Sequence, residues 1–243
     1  MLKYDNNYLL NKKVKIYQPQ GFYHASTDAV WLAAAVNKVK KGDRFLDVGA
    51  GTGAVSLCLA HRFVDKNITI TGVDIQSELV QAANQSAQDN GFNFARFEQV
   101  DILKNKYLPC SFNHVISNPP YYEGDMPSPN FSKATAHNLS AQDFAKWIDF
   151  CIKTLKPQGR FYMINRAEML EDIITLLHGR LGAIEVFPIF SKPHDKQAKR
   201  VIVRAQKDNK TPLKIYNPLY VHNDDGSHSD VAEQVLRQGA AFE

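Results

Sequence analysis

The sequence predicts a doubly wound α/β fold whose sheet is mostly parallel and ends in an antiparallel C-terminal hairpin. Short apolar runs alternate with helical patterns through the middle of the chain, which is the order typical of β-α-β units. A glycine-rich turn connects the first apolar run to the helical pattern after it. Near the C-terminus, GAIEVFPIF and RVIVRA are β-rich runs joined by the polar segment SKPHDKQAK, and they predict the hairpin.

The elements follow one another in a regular order after a leader of about 40 residues. Gly91 predicts the end of the second helix of the sheet unit, Ser77 predicts its N-cap, and Pro157 with Gly159 predicts a stop before the fifth run. The alternating runs and helical patterns are RFLDV, GAVSLCLAHRF; ITITGVDI, SELVQAANQSAQDN; FARFEQVDI; HVISN, AQDFAKWIDFCIKTL; GRFYMIN, AEMLEDIITLLH.

Composition predicts a single domain over residues 1–243, made of the leader 1–40 and a core 41–243. The chain is 44% hydrophobic, enough for a core without disulfides or a structural metal. Its three cysteines show no metal-ligand spacing, so we expect no metal site. No signal peptide or membrane span is visible, and we expect a cytoplasmic protein. The net charge of +4 favours an anionic partner only weakly and leaves the oligomeric state open.

The segment LDVGAGTGAVS places Asp47 and the glycines Gly49, Gly51 and Gly53 directly before a helix. Glycines at such a turn let a ligand touch the backbone. Their GxGxG spacing differs from the GxGxxG that suits a dinucleotide pyrophosphate, and an acidic residue suits a cationic ligand. S-adenosylmethionine carries an ammonium and a sulfonium and no phosphate. The local chemistry therefore favours S-adenosylmethionine over NAD.

Two further aspartates stand at the ends of the next two strands. Asp74 is placed to accept hydrogen bonds from ribose hydroxyls, and Asp101 to accept from the adenine amino group. Ile75 and Ile102 are expected to pack against the base. A single strand-end aspartate is often only a turn or capping residue, so the prediction depends on the ordered set of three carboxylates.

The segment VISNPPYY follows the fourth strand, beside the crevice where the strand order of a doubly wound sheet reverses. Pro119 and Pro120 lack backbone donors and fix φ, so the Asn118 side-chain oxygen and the Pro119 carbonyl can face one point as acceptors. Two acceptors favour an NH₂ substrate and would orient its lone pair toward the methyl group. Tyr121 can stack on a planar substrate, assisted by Tyr122. The same position makes Asn118 a neighbour of the cofactor.

With these motifs in place, the chain resembles the Rossmann-like (class I) amino methyltransferases. More narrowly, it is similar to the bacterial tRNA (adenine-N6)-methyltransferase family that modifies adenosine 37 of valine tRNA. The resemblance covers most of the chain, from GFYHASTDAVWLAAAV through the glycine loop, GVDIQ and NPPYY to AKRVIVRA. It implies that Thr27 and Asp28 help close the cofactor pocket. Ser26 or Thr27 is also placed to cap the helix that follows.

The polar segment between the two C-terminal runs concentrates positive charge. Side chains that contact RNA phosphates need such a surface beside the catalytic cleft, although a solvated loop has the same composition. The candidate RNA contacts are Tyr122, Lys192, Lys196, Lys199 and Arg200.

Three other functions share parts of this pattern. A protein glutamine amide offers the same NH₂ geometry, but relatives of that kind usually carry a larger helical domain before the glycine loop. A catalytically inactive RNA-binding protein could keep the fold, although the acidic and NPPY residues are all present. An NAD-dependent oxidoreductase is disfavoured by the loop spacing.

Overall fold

A nine-stranded sheet carries most of the polypeptide, with strand order β10-β8-β9-β7-β6-β3-β4-β5 and β11 also paired to β8. The computed structural model describes residues 3–22, 24–104, 109–120 and 140–242. The strands are β3 (Arg44–Val48), β4 (Thr69–Asp74), β5 (Ala95–Gln99), β6 (Phe112–Ser117), β7 (Leu155–Arg166), β8 (Leu181–Phe190), β9 (Arg200–Lys207), β10 (Lys214–Ile215) and β11 (Leu219–Tyr220).

Strands β3 to β7 are parallel, and β9 runs antiparallel between β7 and β8. The predicted doubly wound sheet with a closing antiparallel hairpin is therefore confirmed. The two short strands β10 and β11, which the sequence did not indicate, pair in parallel with β8 at its outer side.

Helices cover both faces of the sheet. They are α1 (Thr27–Ala35), α2 (Ala54–Arg62), α3 (Ser77–Asp89), α4 (Ala141–Thr154), α5 (Leu170–Leu177) and the short α6 (Asp230–Glu233). Apolar side chains of α1, α2 and α3 form the core on one face, and those of α4 and α5 form the core on the other. Strand β3 lies between these layers, and all its residues after the exposed Arg44 are buried, including the carboxylate of Asp47.

The helix-end predictions held in part. Gly91 ends α3 in the left-handed region with φ of 72°. Ser77 is not the N-cap of α3, because Gln76 occupies that position and the Ser77 hydroxyl donates to Glu78 instead. Helix α4 ends at Thr154, ahead of the predicted stop, and Pro157 and Gly159 lie inside β7, in the stretch where its pairing with β6 shifts register.

The leader forms a separate two-stranded hairpin and the first helix. The hairpin pairs β1 (Tyr4–Leu9) with β2 (Val14–Pro19). Strand β2 lies along α3, where the Tyr17 amide donates to Ser86 Oγ at 2.9 Å and the Asn90 side chain bonds the Lys15 backbone. In the part of the chain that the structure describes, no helix combines the length and apolar character needed to cross a membrane.

Candidate functional site

The glycine loop joins β3 to α2 at the carboxyl edge of the sheet. The amides of Gly49 and Ala50 both donate to the Val73 carbonyl at the end of β4, at 2.9 and 3.0 Å. The Gly51 amide donates to Asp74 Oδ2 at 2.8 Å. The loop is thus fixed to the neighbouring strand by three hydrogen bonds.

The three glycines serve different physical needs. All have positive φ, but a Cβ at Gly49 would lie 2.6 Å from Trp147 Cζ2, and a Cβ at Gly53 would lie 2.7 Å from Phe97 Cζ. Gly51 has no atom within 4 Å of its Cβ position. Gly49 and Gly53 are therefore required by packing inside the protein, whereas only Gly51 leaves open space for a ligand.

A buried carboxylate, Asp47, and a half-buried one, Asp74, lie beside this loop. Asp47 is 1% exposed, and its Oδ2 accepts a 2.7 Å hydrogen bond from the Ser56 hydroxyl of α2. Burial is the main cause that raises the pKa of Asp47 to about 6, and repulsion from Asp74 adds to it. Burial also raises the pKa of Asp74, although the amides of Gly51 and Gln76 donate to its two oxygens and oppose the shift.

This donor set fits a cationic ligand with hydroxyl groups. Two carboxylates that repel each other in a buried place are stabilised by a nearby positive charge. Each Asp74 oxygen accepts one backbone hydrogen bond and retains a lone pair for a ribose hydroxyl. Ile75, directly after Asp74, is 47% exposed, so an apolar surface stands ready for a planar base. The residues present therefore fit S-adenosylmethionine.

The third predicted carboxylate has local partners. Asp101 Oδ1 accepts from the Leu103 amide at 3.1 Å, and Oδ2 lies 3.1 Å from the Lys104 ammonium. Asp101 is thus also a turn residue, the alternative that the sequence left open. Its position after β5 places it and the half-buried Ile102 at the same sheet edge as Asp74, because β4 and β5 are parallel neighbours.

The Asn-Pro-Pro segment begins directly after β6, the other neighbour of β3. Ser117, the last residue of β6, donates to the Val48 carbonyl at 2.9 Å and accepts from Trp147 Nε1 at 2.9 Å. Asn118 is half-buried and Pro119 is buried. These bonds fix the start of the segment against the end of β3. Tyr121 and Tyr122 lie outside the described residues.

Three positioning residues were missed by the sequence reasoning. Ser56 holds the Asp47 carboxylate, and Ser117 ties β6 to β3. Trp147 of α4 bonds Ser117 and packs on Gly49. The amphipathic pattern of α4 indicated only a buried tryptophan; nothing local in the sequence shows that its indole reaches both motifs.

Thr27 and Asp28 begin α1 at the same sheet edge, next to β8 and β9. The Ser26 hydroxyl accepts from the Asp28 amide, which confirms Ser26 as the N-cap of α1. The Asp28 carboxylate pairs with Arg200 Nε at 2.9 Å, across 172 positions of sequence. The structure thereby brings a predicted cofactor-pocket residue and a predicted RNA contact together.

A cleft of about 410 Å³ opens around this ion pair. We call it the basic cleft; it is lined by Thr27, Asp28, Trp31, Phe190, Lys199 and Arg200, together with Ile189 of β8, Ser191 directly after β8, and Val221 and His222 directly after β11. Of the other basic candidates, Lys192 and Lys196 lie in the exposed β8–β9 loop and do not line this cleft. Lys192 Nζ instead lies 3.4 Å from the Asp224 carbonyl.

No metal-binding cluster of three or more His, Cys, Asp or Glu side chains occurs among the described residues. The three cysteines are free, with Cys58 and Cys151 buried and Cys110 exposed. Burial raises the pKa of both Cys58 and Cys151, so these thiols stay protonated and pack as apolar groups.

Comparison with known proteins gives consistent results. A family described as a methyltransferase domain matches residues 39–209. A tRNA1(Val) (adenine(37)-N6)-methyltransferase of Pedobacter heparinus is 26% identical over 229 residues, covering 93% of this chain and 94% of that protein. A protein of the same name from Dyadobacter fermentans is 27% identical over 228 residues, covering 90% of each chain.

Solved structures share the fold. A predicted O-methyltransferase from Agrobacterium tumefaciens superimposes with a TM-score of 0.72 at 24% identity, covering 88% of this chain and 98% of the other. A 16S rRNA N2 G1207 methyltransferase of T. Thermophilus, solved with AdoMet and guanosine, gives a TM-score of 0.62 at 18% identity over 85% of this chain and 51% of that one. These similarities confirm the Rossmann-like sheet.

Proposed function

The chain belongs to the family of methyltransferase domains, and from this membership we propose that it transfers the methyl group of S-adenosylmethionine to the N6 amine of an adenosine in tRNA. Relatives named as tRNA1(Val) (adenine(37)-N6)-methyltransferases match over nine-tenths of the chain. Adenosine 37 of valine tRNA is therefore the proposed target. We further propose that residues 1–243 act as one domain and that the protein works in the cytoplasm.

One observation carries the proposal. Strands β3 and β6 are parallel neighbours in register, with Val48 opposite Ser117. The cofactor-type loop after Val48 and the Asn-Pro-Pro segment after Ser117 consequently start side by side. The hydrogen bond from Ser117 to Val48 fixes that proximity. A donor of methyl groups and an acceptor amine need such neighbouring sites.

The proposed cofactor site is formed at three strand ends. Asp47 and Asp74 favour the positive charges of S-adenosylmethionine, and Asp74 also accepts from the ribose. Gly51 leaves the space for close approach. The full set of proposed contacts, which follows from the pattern and the family resemblance, is Thr27, Asp28, Asp47, Gly49, Gly51, Gly53, Asp74, Ile75, Asp101, Ile102 and Asn118.

When bound, S-adenosylmethionine supplies a methyl group on a positively charged sulfur. The Asn118 amide oxygen and the Pro119 carbonyl each accept a hydrogen bond from one N–H group of the adenine amine. These two hydrogen bonds hold the nitrogen lone pair toward that methyl carbon. The amine nitrogen forms the new N–C bond as the C–S bond breaks, with the bonding electrons left on sulfur. The methylated amine then loses one proton to water, so no strong base is needed before transfer. Pro120 stiffens the segment, and Tyr121 is proposed to stack on the base.

The test is a labelling experiment. Purified protein is incubated with methyl-labelled S-adenosylmethionine and, separately, with tRNA and protein from cells that lack the enzyme. We expect label in N6-methyladenosine of tRNA, and labelling that is slower by about 10²–10³-fold with Asn118→Ala protein. Label on protein glutamine would replace the proposal by the amide reaction. Label in neither pool, together with intact tRNA binding, would indicate an inactive RNA-binding protein.

A further inference from the structure

The basic cleft carries a positive charge that no carboxylate in the described part of the chain neutralises. Arg200 is paired with Asp28 at 2.9 Å, so this carboxylate does not repel an anion strongly. Lys199 is exposed, and among the described residues no carboxylate lies within ion-pair distance of its ammonium group. An anionic group in the cleft would meet the Lys199 ammonium, which pairs with no described carboxylate, and the Arg200 guanidinium, which Asp28 already holds in place.

Four of the other lining residues are apolar or aromatic: Trp31, Ile189, Phe190 and Val221. Trp31 is 1% exposed and Phe190 is half-buried, and Thr27, Ser191 and His222 add polar groups beside them. A volume of about 410 Å³ admits a group larger than a phosphate ion. A cation beside an apolar wall matches a nucleotide, whose phosphate is charged and whose base and ribose present flat, less polar surfaces.

The distance between the basic cleft and Asn118 suits two neighbouring nucleotides of one RNA strand. Ser117 of β6 is opposite Met163 of β7, which is opposite Val203 of β9. Because β9 is antiparallel, Arg200 lies three residues beyond Val203 toward the carboxyl edge. Two strand spacings and this offset place the Arg200 backbone roughly 12 Å from that of Asn118. An RNA strand could therefore occupy both places without sharp bending.

We propose that the basic cleft binds a nucleotide that flanks the target adenosine, with its phosphate on Lys199 and Arg200 and its base or ribose against Phe190. The proposal rests on the proposed function, because it takes RNA as the substrate. It separates Lys199 and Arg200 from Lys192 and Lys196, which lie outside the cleft. Lys199 acts in substrate binding and takes no part in the methyl transfer.

Lys199 is the best position for the test because, among the described residues, its substitution breaks no ion pair, whereas a change at Arg200 breaks the pair with Asp28. Lys199→Met removes the charge and keeps an apolar stem, and Lys199→Arg keeps the charge. Lys66→Met is the control, since Lys66 is exposed before β4 at the opposite edge of the sheet. Binding of fluorescein-labelled bulk tRNA and of S-adenosylmethionine is measured for all four proteins, with melting curves to confirm folding.

We expect Lys199→Met to weaken tRNA binding by about tenfold, the effect of losing one hydrogen bond to a charged group. The slope of log Kd against log salt should fall by about 0.7 to 0.9, as expected for one lost phosphate contact. Lys199→Arg and Lys66→Met should match wild type, and cofactor affinity should not change in any variant.

Wild-type tRNA affinity in Lys199→Met protein would overturn the inference, even if wild-type protein methylates tRNA. A loss of S-adenosylmethionine affinity would also overturn it, because Lys199 would then serve the cofactor, which Thr27 and Asp28 of the same cleft are proposed to contact. If wild-type protein neither binds nor methylates tRNA, the proposed function fails and this inference with it. The methylation and binding measurements therefore distinguish the two failures.

Discussion

The ionisation of Asp47 should couple cofactor binding to pH. Its pKa is raised from the ordinary 3.8 to about 6, mainly by burial. Because the folded-state value is the higher one, the protein without cofactor should lose stability as the pH rises from about 4 to about 6. At neutral pH the ionised carboxylate costs about 3 kcal/mol, worked from a shift of about two units.

In the cofactor-free protein burial favours the protonated form of Asp47, and a positively charged cofactor reverses this preference. A sulfonium or ammonium near Asp47 favours the carboxylate and lowers its pKa, so binding below pH 6 must release a proton. We therefore expect the affinity for S-adenosylmethionine to fall by up to about tenfold per pH unit below pH 6 and to level off above it.

Calorimetric titrations between pH 5 and 7.5, in two buffers of different ionisation enthalpy, measure both the affinity and the released proton. Asp47→Asn should weaken binding near neutral pH, flatten its pH dependence, and stabilise the cofactor-free protein. Asp65→Asn is the control, because Asp65 is exposed and precedes β4 at the opposite edge. If the affinity of the Asp47→Asn protein depended on pH as the wild-type affinity does, the electrostatic role of Asp47 would be refuted. The raised pKa of Asp74 alone would then have to explain that pH dependence.

Three further predictions concern single residues. Gly49→Ala should destabilise the fold by about 2–4 kcal/mol, because φ is positive and the new Cβ overlaps Trp147. Gly51→Ala should lower the free energy of unfolding by only about 1–2 kcal/mol but bind the cofactor poorly. Equal melting temperatures for the two variants would contradict this difference. Asn118→Ala should lower kcat by about 10²–10³-fold with cofactor Kd nearly unchanged, and parallel losses in stopped-flow binding and turnover would exclude its role at the amine. Asp74→Ala should weaken cofactor binding by at least about tenfold, and calorimetry showing wild-type affinity would remove it from the ribose site.

The sequence determined the sheet and the order of its motifs. The periodicity of the apolar residues, the spacing of the glycines and the position of Asn-Pro-Pro after a strand are local properties of the sequence. They could therefore be recognised without knowledge of the tertiary contacts. The class I sheet, its closing hairpin and membership of the methyltransferase family were all confirmed. Strand-end residues such as Asp74 and Asn118 could be assigned to one edge because parallel strands end on the same side.

Only the tertiary structure decided which side chains support the site. Trp147 reaches Gly49 and Ser117 from a helix on the far side of the sheet, and Asp28 meets Arg200 across most of the chain. The sequence also could not separate the packing role of Gly49 from the open position of Gly51. Such contacts depend on how layers pack and on strand register, which set the distances between residues far apart in sequence. No local pattern carries that information.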